Sequence, residues 1–299
     1  MNVLLIGHGY IGSYLTSALL EQGHTLTVCS TSFGLPPSTD VNWIEGRYQD
    51  LRSDVLATFD AILWFAGHSS VGKAVQDPTG AIRNNCFDLL EFARRKPGGV
   101  RLIYASTASL YSVSHEKGSN KGPVPLTETE ARISSLNAYD SSKAAFDALV
   151  GPLAENTCGL RLGTVCGYSP KLRKELVFNS MNISALNTGQ VNVANPNVWR
   201  SLLFLEDLSF VLNALLATDE PLPRFMNVAS FDFQIGALAN DIAAWHGTET
   251  VVHPDSATYS FRMSTDLMTR LAGPLPTKSL SKRCEAFTRE FTRKEGCSQ

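Results

Sequence analysis

The sequence has 299 residues, 43% of them hydrophobic, and a formal net charge of −2. A chain of this size and hydrophobicity can bury a large core, which excludes an intrinsically disordered protein. The nearly neutral charge gives no field that would gather nucleic acid or an anionic membrane, so we expect neither partner and favour small-molecule chemistry.

The sequence also lacks the motifs that are typical of metal-binding, secreted and membrane proteins. The six cysteines form no C-x-x-C pair and the six histidines form no H-E-x-x-H helix, so we expect no metal site. No charged segment leads into an apolar run at the N-terminus, and no run approaches the roughly 20 residues that span a bilayer. We therefore expect a soluble, cytoplasmic protein.

Short apolar runs alternate with longer helical patterns through the first half of the chain. This alternation predicts an α/β protein with a Rossmann-type, doubly wound parallel sheet. The candidate strands are residues 2–6, 25–29, 42–45, 61–66, 101–105 and 158–162.

The pattern changes after Gly167 and predicts a smaller mixed α/β cap. The candidate elements of this second half are a helix near 174–186, a strand at 191–194, a turn at 195–197, a strand leading into a helix over 201–216, and short strands at 225–229 and 250–253. We expect a first domain over 1–167, to which 200–217 returns, and a cap formed by 168–199 and 218–299.

The residues after the first strand favour a nicotinamide cofactor. Gly7 permits a tight turn, Gly9 lets a phosphate approach the backbone, and Gly12 lets the helix pack closely on the strand. Together with Tyr10 and Ile11, they would place the helix N-terminus against the pyrophosphate of NAD or NADP. A merely structural turn is the alternative.

A tyrosine and a lysine four residues apart indicate proton chemistry. Tyr139 and Lys143 would share one helix face, where an ammonium group favours ionisation of a phenol with an ordinary pKa of about 10. Hydroxyl side chains, including Thr107 and Ser109, follow the strand 101–105, at the edge where open α/β sheets bind ligands. A polar loop is the alternative, but the three signals together favour an active site.

These motifs give the chain a resemblance to the extended short-chain dehydrogenase/reductase family, and within it to the nucleotide-sugar epimerases, dehydratases and reductases. The resemblance covers nearly the whole length. It runs through Gly7, Gly9 and Gly12, residues 45–51, Ala66 and Gly67, 77–85, 106–111, 137–143, 160–164, 200–207 and 225–228.

The resemblance implies roles for individual residues. Tyr139 would be the general acid-base, Lys143 would hold the nicotinamide ribose and tune Tyr139, and Thr107 would hydrogen-bond the reacting oxygen. Further contacts to the cofactor are expected from Ser30, Asp50, Leu51, Ala66, Gly67 and Asn85.

The resemblance also implies that the first domain binds the NAD(P) cofactor and that the cap binds the substrate. Asn179, Arg200 and Arg262 would meet the diphosphate of a nucleotide sugar, where guanidinium groups suit bidentate contact. Thr164 and Ser109 would face the sugar. Many relatives pair through the two helices that include the Tyr139 segment, so a homodimer is a further expectation.

Departures from the family pattern bear on cofactor and reaction. Ser30 replaces the acid that usually bonds the ribose of NAD, which favours NADP slightly, although no Arg or Lys stands nearby in the sequence. Asp50 would then serve the adenine end, with a loop cap as the alternative. Ala108 and Ser109 replace the Asp-Glu pair of the family's 4,6-dehydratases, so dehydration is disfavoured.

Two reactions and one rival function remain open. A 4-epimerase and a 4-ketoreductase share one site, because both need only hydride transfer and one proton relay. The glycine turn is one residue shorter than the common epimerase form, which slightly favours a reductase. The rival is a non-catalytic sensor of the nicotinamide pool, against which the Thr107, Tyr139 and Lys143 set argues.

Overall fold

The computed structural model describes residues 1–32, 39–114, 123–129, 135, 137–151, 155–256 and 258–296. Its strands are β1 Asn2–Ile6, β2 Thr25–Ser30, β3 Val41–Glu45, β4 Ala61–Trp64, β5 Arg101–Thr107, β6 Val113–Ser114, β7 Thr157–Leu162, β8 Thr164–Cys166, β9 Gln190–Val193, β10 Trp199–Phe204, β11 Phe225–Val228, β12 Phe231–Gln234, β13 Glu249–Val252 and β14 Tyr259–Ser260.

Helices flank these strands throughout the described residues. They are α1 Tyr10–Glu21, α2 Ser53–Leu56, α3 Val71–Gln76, α4 Pro78–Ile82, α5 Asp88–Arg95, α6 Ala138–Val150, α7 Val177–Thr188, α8 Leu205–Ala217, α9 Ile235–His246, α10 Asp266–Ala272 and α11 Leu280–Gly296. A π-helical turn, Arg83–Phe87, joins α4 to α5.

A seven-stranded sheet in the order β11-β7-β5-β4-β1-β2-β3 forms the centre of the described fold. All of its strand pairs are parallel. Helices cover both faces, so the inner strands are apolar on both sides: Val3 and Leu5 pack with α1 and α8, while Leu4 and Ile6 pack with α5 and α6. This is the predicted Rossmann-type architecture.

The smaller part of the fold is mixed, as predicted. Strands β12, β10 and β8 form one sheet, and β13 pairs in parallel with β9. Their buried side chains share a core with α7, α9 and α11.

Two expectations about the second half require correction. Phe225–Val228 was expected in the cap, but β11 pairs in parallel with β7 and is an edge strand of the central sheet. Residues 200–217 return to the first domain only in part: β10 belongs to the small sheet, whereas α8 packs on the central sheet. A short apolar run fits either place, and only its hydrogen-bonded neighbour decides.

Two features of the described residues concern a membrane and metal ions. Across the described ranges, no helix combines the length and apolarity needed to cross a bilayer. Within the same ranges, His, Cys, Asp and Glu side chains form no group of three or more that could hold a metal ion.

Candidate active site

A cavity of about 660 Å³ opens at the carboxyl ends of the central strands. In a parallel sheet this edge is where ligands bind. The glycine turn and the predicted catalytic residues line the same cavity, together with residues of the cap. The lining includes Gly7, Gly9, Tyr10, Ile11, Ser30, Ala66, Gly67, Thr107, Ser109, Tyr139, Lys143, Thr164 and Arg200.

The glycine turn has the shape that a pyrophosphate needs. Gly7 has a φ of 99°, which only glycine adopts easily. A β-carbon built on Gly12 would lie 1.9 Å from the Gly7 carbonyl oxygen, whereas one built on Gly9 would meet nothing within 4 Å. No side chain caps the start of α1. Its first N–H groups are therefore left for a ligand, and the site fits a dinucleotide.

The end of β4 forms the cavity wall beside this turn, since a β-carbon on Gly7 would lie 2.6 Å from the Ala66 nitrogen. Gly67 has a φ of 123°, and a β-carbon there would lie 2.3 Å from the Oδ1 atom of Asn85. Asn85 is 1% exposed and is absent from the cavity lining; its Nδ2 atom donates to Ser142 Oγ at 2.9 Å and to the His68 carbonyl at 3.0 Å. Asn85 was expected beside the nicotinamide, but it lies behind Gly67 and holds that wall in place.

Two other cofactor residues also lie elsewhere than expected. Leu51 is buried in the core below the sheet, and Asp50 is exposed at the end of the 3-10 turn Tyr48–Asp50. Neither lines the cavity, whereas Gly46 and Tyr48 do. The apolar Leu51 side chain is drawn into the core, which turns this segment away from the ligand edge.

A cation that the sequence did not reveal lies at the end of β2. Lys171 lines the cavity with Ser30 and Thr31, and its Nζ atom donates to the Ser32 carbonyl at 3.3 Å. No Arg or Lys stands near Ser30 in the sequence, but the fold brings Lys171 close to it in space. Lys171 and Ser32 are 139 residues apart in the chain, so no local pattern could have paired them.

The start of α6 presents the catalytic pair. Asn137 caps this helix by accepting from the Asp140 N–H at 3.0 Å. Tyr139 and Lys143 then face the cavity one turn apart, and the Thr107 hydroxyl is a hydrogen-bond partner of the Tyr139 phenol. Lys143 donates to the Ala105 carbonyl at 2.8 Å. The three predicted catalytic side chains are thus brought together.

Burial sets the protonation of this pair. Lys143 is 7% exposed, and burial lowers the pKa of its ammonium group to about 8, against the opposing field of Asp147. Burial also raises the pKa of Tyr139. Since desolvation disfavours the charged form of each group, the phenol is protonated at neutral pH in the protein alone.

The cap contributes two guanidinium groups to the cavity lining, those of Arg173 and Arg200, and Arg173 is ion-paired with Glu175. Arg200 donates to Thr258 Oγ1 at 2.7 Å, and its guanidinium lies 5.8 Å from the Tyr259 ring centroid and 5.3 Å from that of Phe261. Burial lowers the pKa of Arg200 to about 10. No carboxylate among the described residues forms an ion pair with it, as expected of a cation kept for an anionic ligand.

Two predicted diphosphate contacts are engaged within the protein instead. Asn179 is fully buried: its Nδ2 atom donates to the Arg173 carbonyl at 3.0 Å and to the Tyr10 hydroxyl at 3.2 Å, and its Oδ1 atom accepts from the Gly167 N–H at 2.9 Å. Arg262 donates to Asp232 at 2.8 Å and is absent from the cavity lining. In this structure the Asn179 amide atoms and Arg262 Nε bond to other groups of the protein, and neither residue lines the cavity.

A carboxylate lies beside Tyr139 that was not among the predicted site residues. Asp140 is fully buried, and its Oδ1 atom accepts from Ser109 Oγ at 2.5 Å. Ser109 in turn contacts Thr107 Oγ1 at 2.9 Å. A chain of polar groups therefore leads from the cavity into the protein.

Residues 3–229 match the model of the NAD dependent epimerase/dehydratase family. The chain belongs to this family. The matched range includes the glycine turn, the three predicted catalytic side chains and Arg200.

The comparisons with individual proteins agree with this family. The UDP-glucose 4-epimerase of Corynebacterium glutamicum is 32% identical over 148 residues, which are 47% of this chain and 43% of that protein. The chain thus spans less than half the length of this relative. The same holds for the UDP-glucose 4-epimerase of Streptomyces lividans, of which 44% is covered at 34% identity.

Solved structures extend the likeness to the whole fold. The UDP-glucose 4-epimerase of Thermotoga maritima, solved with UDP-glucose, has a TM-score of 0.82 at 18% identity over 99% of this chain and 100% of that chain. At this identity the likeness concerns the fold, and it includes the cap as well as the central sheet.

Proposed function

We propose that this protein is an NAD(P)-dependent enzyme that transfers hydride at carbon four of a nucleotide-activated sugar, as a 4-epimerase or a 4-ketoreductase. The observation that carries the proposal is one cavity lined by the glycine turn, by Thr107, Tyr139 and Lys143, and by Arg200, which no carboxylate among the described residues pairs with. A nucleotide-binding turn, a proton relay and an anion site are what such a reaction requires.

The side chains divide the chemistry among them. A bound nicotinamide supplies the hydride acceptor or donor. Tyr139 removes the proton of the sugar hydroxyl or returns it to the carbonyl oxygen, while Thr107 holds that oxygen. Lys143 favours the phenolate when it is charged, because an ammonium group stabilises a nearby anion.

The substrate would lie across the cavity towards the cap. Arg200 would hold the diphosphate, and Thr164 and Ser109 would face the sugar. Ala108 is fully buried and Ser109 donates its proton to Asp140, so this pair offers no acid and base for the removal of water. This supports epimerisation or ketone reduction over dehydration.

The end of β2 supports a preference for NADP over NAD. Ser30 brings no negative charge against a 2′-phosphate, and Lys171 brings a positive charge to the same edge of the cavity. Solved structures of similar fold contain NAD, among them the UDP-glucuronic acid 4-epimerase of Bacillus cereus, at 18% identity and a TM-score of 0.81.

Two finer expectations remain part of the proposal. A homodimer would form through α5 and α6, the helices that carry or adjoin the exposed apolar side chains Leu149 and Phe87, which are 44% and 55% exposed. A sensor without catalysis is the rival, but it would have no use for a phenol, an ammonium group and a threonine hydroxyl around one cavity.

The deciding experiment combines the cofactor and the substrate. We expect the purified protein to bind NADP more tightly than NAD in calorimetry, and Lys171→Met to reduce this ratio roughly tenfold. Interconversion of UDP- or dTDP-hexoses without net cofactor consumption would identify an epimerase. Oxidation of NADPH only with a 4-keto sugar nucleotide would identify a reductase.

The tyrosine variant tests the mechanism in either form. Tyr139→Phe should lower kcat by roughly 10³-fold, since it removes the general acid-base. Tyr14→Phe, on α1 and outside the cavity, is the matched control and should retain activity. Full activity of Tyr139→Phe, or the lack of nicotinamide binding, would refute the proposal.

A further inference from the structure

The buried carboxylate beside Tyr139 has both oxygens held by donors. Asp140 Oδ1 accepts from Ser109 Oγ at 2.5 Å, and Oδ2 accepts from Asn137 Nδ2 at 2.8 Å and from the Tyr259 hydroxyl at 3.3 Å. A carboxylate only accepts hydrogen bonds. The single hydroxyl proton of Ser109 is therefore committed to Asp140.

Because Ser109 donates to Asp140, the direction of the hydrogen bond between Ser109 and Thr107 is fixed. Ser109 Oγ and Thr107 Oγ1 are 2.9 Å apart, a distance that allows either to donate. Since the Ser109 proton points to Asp140, Thr107 must donate to Ser109. Thr107 Oγ1 also accepts from the Ser109 N–H at 3.2 Å, which leaves one acceptor position and no proton for the cavity.

Tyr139 then becomes the donor in its contact with Thr107. All the hydroxyl protons of the chain point away from the cavity, from Tyr139 through Thr107 and Ser109 to Asp140.

We propose that Asp140 is a positioning residue that orients the hydroxyls of Ser109 and Thr107, so that Thr107 offers its one open lone pair, and not its proton, to the Tyr139 phenol in the protein without ligands. This inference deepens the proposed function, because it states what holds the proton on Tyr139 before a substrate binds, and it rests on that function for the role of Tyr139.

Two variants separate orientation from charge. Ser109→Ala breaks the chain and keeps the charge of Asp140, so Thr107 becomes free to turn its proton to the phenolate. Asp140→Asn removes the charge and lets an amide N–H donate to Ser109, which reverses the chain. The other charged groups that act on Tyr139, Asp147 and Arg173, remain in both variants, as does Lys143 one turn further along the same helix.

The measurement is the titration of Tyr139 in the full-length protein without cofactor or substrate. Tyrosine labelled with ¹³C at the ζ position reports it by NMR, and the resonance is identified by its loss in Tyr139→Phe. We expect Ser109→Ala to lower the Tyr139 pKa by about one pH unit, as one hydrogen bond changes from stabilising the phenol to stabilising the phenolate.

Asp140→Asn should lower the pKa at least as much, and the double variant should shift less than the sum of the two. Ser112→Ala removes a buried hydroxyl that has no partner and is the matched control; it should leave the titration unchanged. An unchanged or raised pKa in Ser109→Ala, or additive shifts, would overturn the inference. Since no turnover is measured, these results stand even if the substrate differs from the proposed one.

Discussion

The two sides of the cavity meet a ligand in different ways. The side of the glycine turn offers backbone and empty space, because nothing lies within 4 Å of a β-carbon built on Gly9. The cap side offers a charge, Arg200, whose guanidinium lies near the rings of Tyr259 and Phe261. Substitutions on the first side should therefore act through shape, and those on the second through affinity.

The largest effect is expected at the closest backbone contact. Gly12→Ala would place a β-carbon 1.9 Å from the Gly7 carbonyl oxygen, and neither backbone segment can move away cheaply. We expect it to lower the free energy of unfolding by roughly 3 kcal/mol, measured by urea denaturation.

Gly9→Ala is the matched variant in the same turn. It should unfold within about 1 kcal/mol of the wild type, because its added methyl group points into open space, yet bind dinucleotide more weakly in calorimetry. Equal stability of the two variants would show that the two glycines do not differ in the way the turn predicts.

A smaller, graded effect is expected on the cap side. Arg200→Met should raise the KM for the nucleotide sugar roughly 10-fold to 100-fold and change kcat little, since it removes a charge-assisted contact away from the reacting carbon. Arg262→Met is the control, because Arg262 pairs with Asp232 outside the cavity. Equal KM increases in both variants would remove the distinction between these two arginines.

The smallest effect is expected in the pH dependence of folding stability, and it concerns Lys143. Its pKa in the folded protein, about 8, lies below the ordinary value, so the folded state releases this proton at a lower pH than the unfolded state. Wild-type stability should therefore rise relative to Lys143→Met between about pH 8 and pH 10.5, by roughly 2 kcal/mol in urea denaturation. A constant difference across this range would show that burial does not penalise the ammonium group.

The residues that the sequence placed correctly belong to short stretches of chain. Tyr139 and Lys143 lie one helical turn apart, and Thr107 ends a strand whose position the apolar pattern predicted. The first six predicted strands lie within two residues of strands in the fold. Local periodicity and local motifs carry this information.

The residues that it misplaced depend on contacts between distant parts of the chain. Asn179 is bonded to Tyr10 across 169 residues, and Arg262 to Asp232 across 30. Lys171 and Asp140 gained their significance in the same way, from partners that only the fold brings near. A polar side chain is free to contact a ligand only if it is not already hydrogen-bonded within the protein. Sequence alone does not show which internal hydrogen bonds form.

Hydrogen bonds connect the first turn of α1 to the segment before α7. Ser13 Oγ lies 2.8 Å from Ser169 Oγ, and the Tyr10 hydroxyl donates to the Gly167 carbonyl at 2.8 Å. Any ligand that stiffens this first turn also stiffens the entrance to the cap. A second ligand would then meet an ordered surface and lose less conformational entropy on binding, so each ligand would strengthen the binding of the other.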